Sequence, residues 1–189
     1  MRALVCVLVI VIVAGAGSAL AARPARDRYY FELVGVDGAD NAPANLAVKA
    51  KKVFTDLVAK RGELIPALEG APPRTDTEAF KAYLRRKRIH AYAVNIKVSS
   101  FERSLAPNEK QGKSGQILTV AMELSLIGTS IPENILSLSV AGGATIKAET
   151  GQRVLPREEE AAVDDALSQA LSSALTDAVA KLRRSKHTK

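Results

Sequence analysis

The sequence predicts an α+β fold: a mixed, mainly antiparallel sheet of about four strands packed by two to three helices, including a long alanine-rich C-terminal helix. Three observations carry this. Apolar and polar residues alternate along three segments between His90 and Ile146, as in strands that bury one face. Apolar residues recur at helical spacing over residues 44–60 and 156–184. Clusters of Gly, Pro, Asp and Asn separate these segments.

The chain opens on Arg2 and a wholly apolar run from Ala3 to Ala14. Gly15, Gly17 and Ser18 follow, and Ala19-Leu20-Ala21 sets Ala19 and Ala21 at the small-residue sites of a signal peptidase. Residues 1–21 are therefore expected to be a signal peptide, with export to the periplasm or the exterior. The competing reading is an uncleaved anchor, since the uncharged stretch from Ala3 to Ala22 approaches bilayer-spanning length. The late glycines and the small-residue site fit cleavage better. Residues 22–28 read as a polar lead-in, 29–184 as a single α+β domain and 185–189 as a basic tail.

Within the domain, Tyr29 to Val36 is rich in strand formers. A turn cluster, Asp37 to Asn41, leads to a helix over residues 44–60, with Asp40 or Asn41 as the expected cap and Arg61-Gly62 as the stop. Glu63 to Leu68 is expected to be a minor strand that Pro66 confines to an edge. Thr75 and Glu78 fit a capping box before a helix ending near Arg86 to Arg88. Strands are expected over 90–101, 116–127 and 135–146, as an antiparallel meander, with a polar loop from Glu102 to Gly115. Gly142-Gly143 marks a bulge or a close backbone approach. In the last helix, Glu158, Glu159 and Glu160 at the start and Lys181, Arg183 and Arg184 at the end complement the dipole. Its alanine seam would let it lie close to the sheet. The helices are expected to cover one face.

Removing the leader leaves about 168 residues, enough for a core without staples. Cys6 is the only cysteine and leaves with it, so no disulfide is expected. The whole chain carries a net charge of +7. Outside the cytoplasm, that balance points to anionic lipids, acidic polysaccharides or acidic protein faces. With few aromatic residues and no tryptophan, extensive stacking platforms for bases or sugars are not expected, and with export no nucleic acid is expected as a partner.

No catalytic constellation is present. His90 and His187 are the only histidines, too few for a zinc site, so no metal or cofactor is expected. The acidic run and Asp164-Asp165 lack the alternating ligands and internal glycine of a calcium loop. No serine sits in a nucleophile elbow. The strongest anomaly is Arg85-Arg86-Lys87-Arg88. Its plain reading is cations at a helix C-terminus. Its sharper reading is an anion-binding patch, joined by Lys51 and Lys52, with Lys49, if the two helices are neighbours, and by the loop carrying Lys110 and Lys113.

The strand Phe31 to Asp37 running into a turn and helix, the strand Ala91 to Val98, the hairpin from Gln116 to Ile146 and the Ala-rich last helix make a layout. It resembles a bacterial envelope superfamily that includes the amino-terminal domain of TolB, the curli-secretion lipoprotein and activators of penicillin-binding proteins. The chain departs from it in lacking a lipobox cysteine, because Cys6 lies inside the apolar run. The resemblance implies an envelope protein partner and no catalysis, and carries over no residue. The expected function is a non-enzymatic adaptor or assembly factor of the envelope. The alternative is a basic module binding anionic lipids or acidic envelope polymers.

Overall fold

The computed structural model describes residues 27–108 and 115–186. The elements run β1 (Arg28–Asp37), α1 (Leu46–Lys60), β2 (Leu64–Ile65), α2 (Thr77–Lys87), β3 (Ile89–Pro107), β4 (Gln116–Ser130), β5 (Leu136–Thr150) and α3 (Pro156–Lys186). The expected signal peptide, with Ala19 and Ala21, lies outside the described residues.

The strands form one sheet in the order β2-β1-β3-β4-β5. β1 lies parallel to both β2 and β3, and β3, β4 and β5 form the antiparallel meander. The fold class is therefore the expected α+β, with β2 as a fifth strand of two residues at the edge. One face carries the main core. Tyr29 and Phe31 of β1, Val94, Ile96 and Val98 of β3, and Leu118, Val120, Met122, Leu124 and Leu126 of β4 point into it. Leu46, Ala50, Phe54 and Val58 of α1 close it from above, together with Leu167, Leu171 and Leu175 of α3.

The expectation that all helices share a face is corrected here. α2 lies on the opposite face, where Phe80, Tyr83 and Leu84 pack on Ile89, Ala91 and Ile131. Residues 89 and 91 of β3 face α2 while 92, 94 and 96 face the main core, as the period of two requires. α2 covers one end of its face. Farther along, Asn95, Lys97, Glu123 and Thr145 stay exposed.

The alanine seam and the close approach meet. Ala166, Ala170, Ala174 and Ala178 are fully buried, and α3 lies over β5. A Cβ on Gly142 would stand 2.2 Å from the Ala170 carbonyl oxygen and 2.9 Å from the Ala174 Cβ. Only glycine lets the two backbones sit at this spacing.

Several local expectations shift. α1 begins one residue after Asn45, not after Asp40 or Asn41. The Asn41 side-chain amide instead donates to the Phe101 carbonyl (2.6 Å). α2 is capped by Asp76, whose carboxylate accepts from the Ala79 N–H (3.0 Å), so Thr75 and Glu78 form no capping box. β3 runs through the expected loop as far as Pro107, because its polar end stays paired with β4 down to Gln116. α3 continues to Lys186, into the expected tail.

The acidic start of α3 is structural. Glu158 accepts from the Leu155 N–H, Glu159 pairs with Arg103 (2.7 Å), and Glu160 and Asp164 both hold Lys49 (2.7 Å each). Arg61 donates to Ser172 and Thr176, tying the end of α1 to α3. Among the described residues no helix is long and apolar enough to cross a membrane.

Candidate anion-binding pole

α2 presents a narrow apolar stripe to the sheet and turns its other sides to water. The Tyr83 hydroxyl donates to the Glu69 carbonyl (2.7 Å), anchoring the helix to the preceding loop. To enter β3 the chain reverses at Arg88, which adopts the left-handed conformation at φ 53° and returns its N–H to the Arg85 and Leu84 carbonyls. Arg85, Arg86, Lys87 and Arg88 are all exposed, around the last turn and its cap.

Topology gathers further cations at this end. Arg28 pairs with Ile89, so β1 starts beside the end of α2. The Arg28 N–H donates to the Arg88 carbonyl (3.1 Å), and its guanidinium reaches the Lys87 carbonyl (3.5 Å). α3 also ends here, since Arg183 hydrogen-bonds the Tyr29 side chain. Asp27, Glu63 and Glu133 are carboxylates of the same end. Asp27 lies 3.9 Å from His90 Nε2, the Glu63 carbonyl takes the Tyr29 N–H, and Glu133 lines a cavity of about 330 Å³ with Lys81, Arg85, Arg88 and His90.

The other named cations go elsewhere. Lys51 and Lys52 are exposed on α1, across the sheet from α2, so the two helices do not form a joint patch. Lys49 is taken by Glu160 and Asp164. Lys110 and Lys113 lie outside the described residues. Asn108 and Gly115, which flank them, sit at the far end of a 19-residue strand whose first residues adjoin α2's C-terminus. Arg28 was not singled out from the sequence, and Arg183 was read there only as complementing the dipole of α3; the shared direction of β1's start and α3's end brings both to this pole. Among the described residues no group of His, Cys, Asp and Glu could hold a metal ion.

Burial shapes the tyrosines beside this pole. Tyr92 is pushed up to about 12, by desolvation first and then by Tyr29 and Glu133. Desolvation also raises Tyr29 and Tyr30. For Lys49, desolvation works against the charge, but the hydrogen bonds to Asp164 and Glu160 outweigh it and its pKa is raised. All these shifts have one sign. Unfolded phenols and ammonium groups lose their protons near pH 10 while the folded groups retain them. Stability should therefore be full below about pH 10 and fall as pH rises toward 12. Thermal melts across that range should show a steadily falling midpoint, with phenolate absorbance appearing together with unfolding. A flat midpoint would contradict these assignments.

No protein-family model matches the chain, and no curated protein does. Solved structures similar to it include a candidate lipoprotein from Caulobacter crescentus, with a TM-score of 0.46 and 12% identity over 84% of this chain and 92% of that one. A candidate homologue of the neuraminyllactose-binding hemagglutinin from Helicobacter pylori has a TM-score of 0.44 and 12% identity, over 87% and 89%. The rare lipoprotein B from Shewanella oneidensis has a TM-score of 0.40 and 14% identity, over 84% and 99%. These neighbours are bacterial proteins, two of them named as lipoproteins, at a likeness that assigns no superfamily to this chain. It assigns no residue and no activity to this chain.

Proposed function

We propose that the protein is an exported, non-enzymatic component of the bacterial envelope that holds an extended segment of another envelope protein along the outer edge of β5. The observation that carries this reading is the edge itself. β5 is the last strand of the sheet, 15 residues long, with no strand among the described residues on its outer side. From Leu136 to Thr145 it contains neither a charge nor a proline, the devices that usually blunt an open edge. Ile135 and Leu136, at its start, are large apolar residues left 62% and 64% exposed. An unpaired strand offers a row of N–H and C=O groups that an added strand satisfies, while flanking apolar residues supply selectivity. Lys181 covers part of the row by donating to the Ser139 carbonyl (3.0 Å). Export rests on the N-terminal sequence pattern, and the absence of catalysis on the lack of any assembled acid, base and nucleophile in the sequence.

The test is in-cell photo-crosslinking from Thr145, followed by mass spectrometry. The wild type should capture a defined envelope protein. A variant carrying Ala141→Lys and Thr145→Lys, both at exposed positions, should lose it while still folding, with the crosslinker moved to Ser139 in both chains. Undiminished capture by the lysine variant, or a reproducible hydrolase or transferase activity of the purified protein, would overturn the reading.

A further inference from the structure

We infer that the cationic pole at the joint end of β1, α2 and α3 seats on an anionic bilayer surface, with lipid phosphate groups as its counter-ions. Magnitude separates this from simple compensation of helix dipoles. A helix C-terminus carries about half a negative charge. α2 sets Arg85, Arg86 and Lys87 of its last turn against that half charge, so most of their positive charge is left over. Arg28 adds to it from β1, and Arg183 from α3. Together they exceed Asp27, Glu63 and Glu133. Arg85, Arg86 and Lys87 enter none of the ion pairs among the described residues.

The arrangement suits a surface rather than a small anion. The cations stand on three separate elements spread over one end of the molecule, and all are exposed. Such a spread engages many phosphates at once, each cation acting through screened attraction near the headgroups. The course of the chain gives the same direction. The described chain starts at Asp27, on this pole, and the uncharged stretch ending at Ala22 precedes it by five residues. Five residues span no more than roughly 18 Å. In a domain that has folded while that stretch is still in a bilayer, the pole is the part held against the lipid. Once the leader is cut, the charges alone maintain the contact. This inference does not depend on the β5 edge.

The experiment uses the protein as the exporting cell makes it. Binding is measured on phosphatidylcholine vesicles and on vesicles that also contain phosphatidylglycerol, at low and high salt. Binding is expected on the anionic vesicles only, and it should be lost at high salt. Neutralising the pole with R85Q, R86Q and K87Q should weaken partitioning roughly 100-fold. The same number of exposed cations removed elsewhere, K51Q, K52Q and K97Q, should change it little. Circular dichroism melts confirm that both triples are folded. If the pole triple does not fold, R86Q alone should lower partitioning by roughly fivefold. Equal losses from both triples, equal binding to zwitterionic vesicles, or pole-dependent binding to dextran sulfate without vesicle binding would each overturn the assignment. The last of these would move the pole to acidic polymers.

Discussion

Gly142→Ala is expected to destabilise the fold by about 3 kcal/mol, while Gly143→Ala, one residue on, should stay within about 0.5 kcal/mol. The difference comes from what each new methyl group meets. At Gly142 it would fall 2.2 Å from the Ala170 carbonyl oxygen and 2.8 Å from the Ala174 amide nitrogen, both backbone atoms of α3. Neither can rotate aside, so the whole helix must lift off β5 and loosen the layer beneath it. At Gly143 the nearest atom is the Met122 carbonyl oxygen at 3.5 Å, an ordinary contact on the open face. For a chain of this size the first change should lower the thermal midpoint by roughly 6–12 °C. Calorimetry of the two variants side by side checks the claim. Matching midpoints would mean that α3 does not lie as close to β5 as described.

Leu171→Ala should cost about 2–5 kcal/mol, a large part of the total stability of an ordinary domain. Leu171 is fully buried in the main core, on the face of α3 that meets the sheet. Its truncation leaves a space that the rigid sheet below cannot fill, so the cavity cost adds to the lost transfer energy. Val48→Ser, at a residue left 72% exposed, should change stability by less than about 0.5 kcal/mol. Urea titration separates the two, with a lower midpoint and an unchanged slope expected for Leu171→Ala.

Much of this core could be read in advance. Alternation in β3 and β4 is regular because one face of each is buried and the other wet, and the pairs of Ala and Leu in α3 recur at helical spacing because one side always meets the sheet. The face chosen by α2 was not legible. Phe80, Tyr83 and Leu84 specify a stripe but say nothing about which side of the sheet receives it. The end of β3 was hidden for a related reason. Glu102, Arg103 and Ser104 are exposed, so they read as loop, yet β4 pairs with each of them and Glu159 holds Arg103. At α2's start, Thr75 and Asp76 are adjacent candidate caps, and Asp76, the stronger capping residue, takes the Ala79 amide. Of the candidate pole, the run Arg85 to Arg88 is plain in one dimension. Its companions Arg28 and Arg183 lie far away along the chain and meet it only because β1 starts where α2 and α3 end.

The place of β1 in the sheet also sets an order in time. It lies between β2 and β3, yet its register with β3 joins residues about 60 apart, Arg28 with Ile89. The meander and α3, by contrast, are consecutive among the described elements from residue 89 onward. A chain that reaches its compartment amino end first delivers β1 early and its central neighbour late. Until β3 arrives, Tyr29, Phe31 and Leu33 have no sheet to complete, and a strand that is rich in aromatic and branched side chains waits exposed. For a chain exported as its N-terminal pattern predicts, the speed of translocation, or a holdase that shields this segment, should then govern how much of the protein reaches its native state.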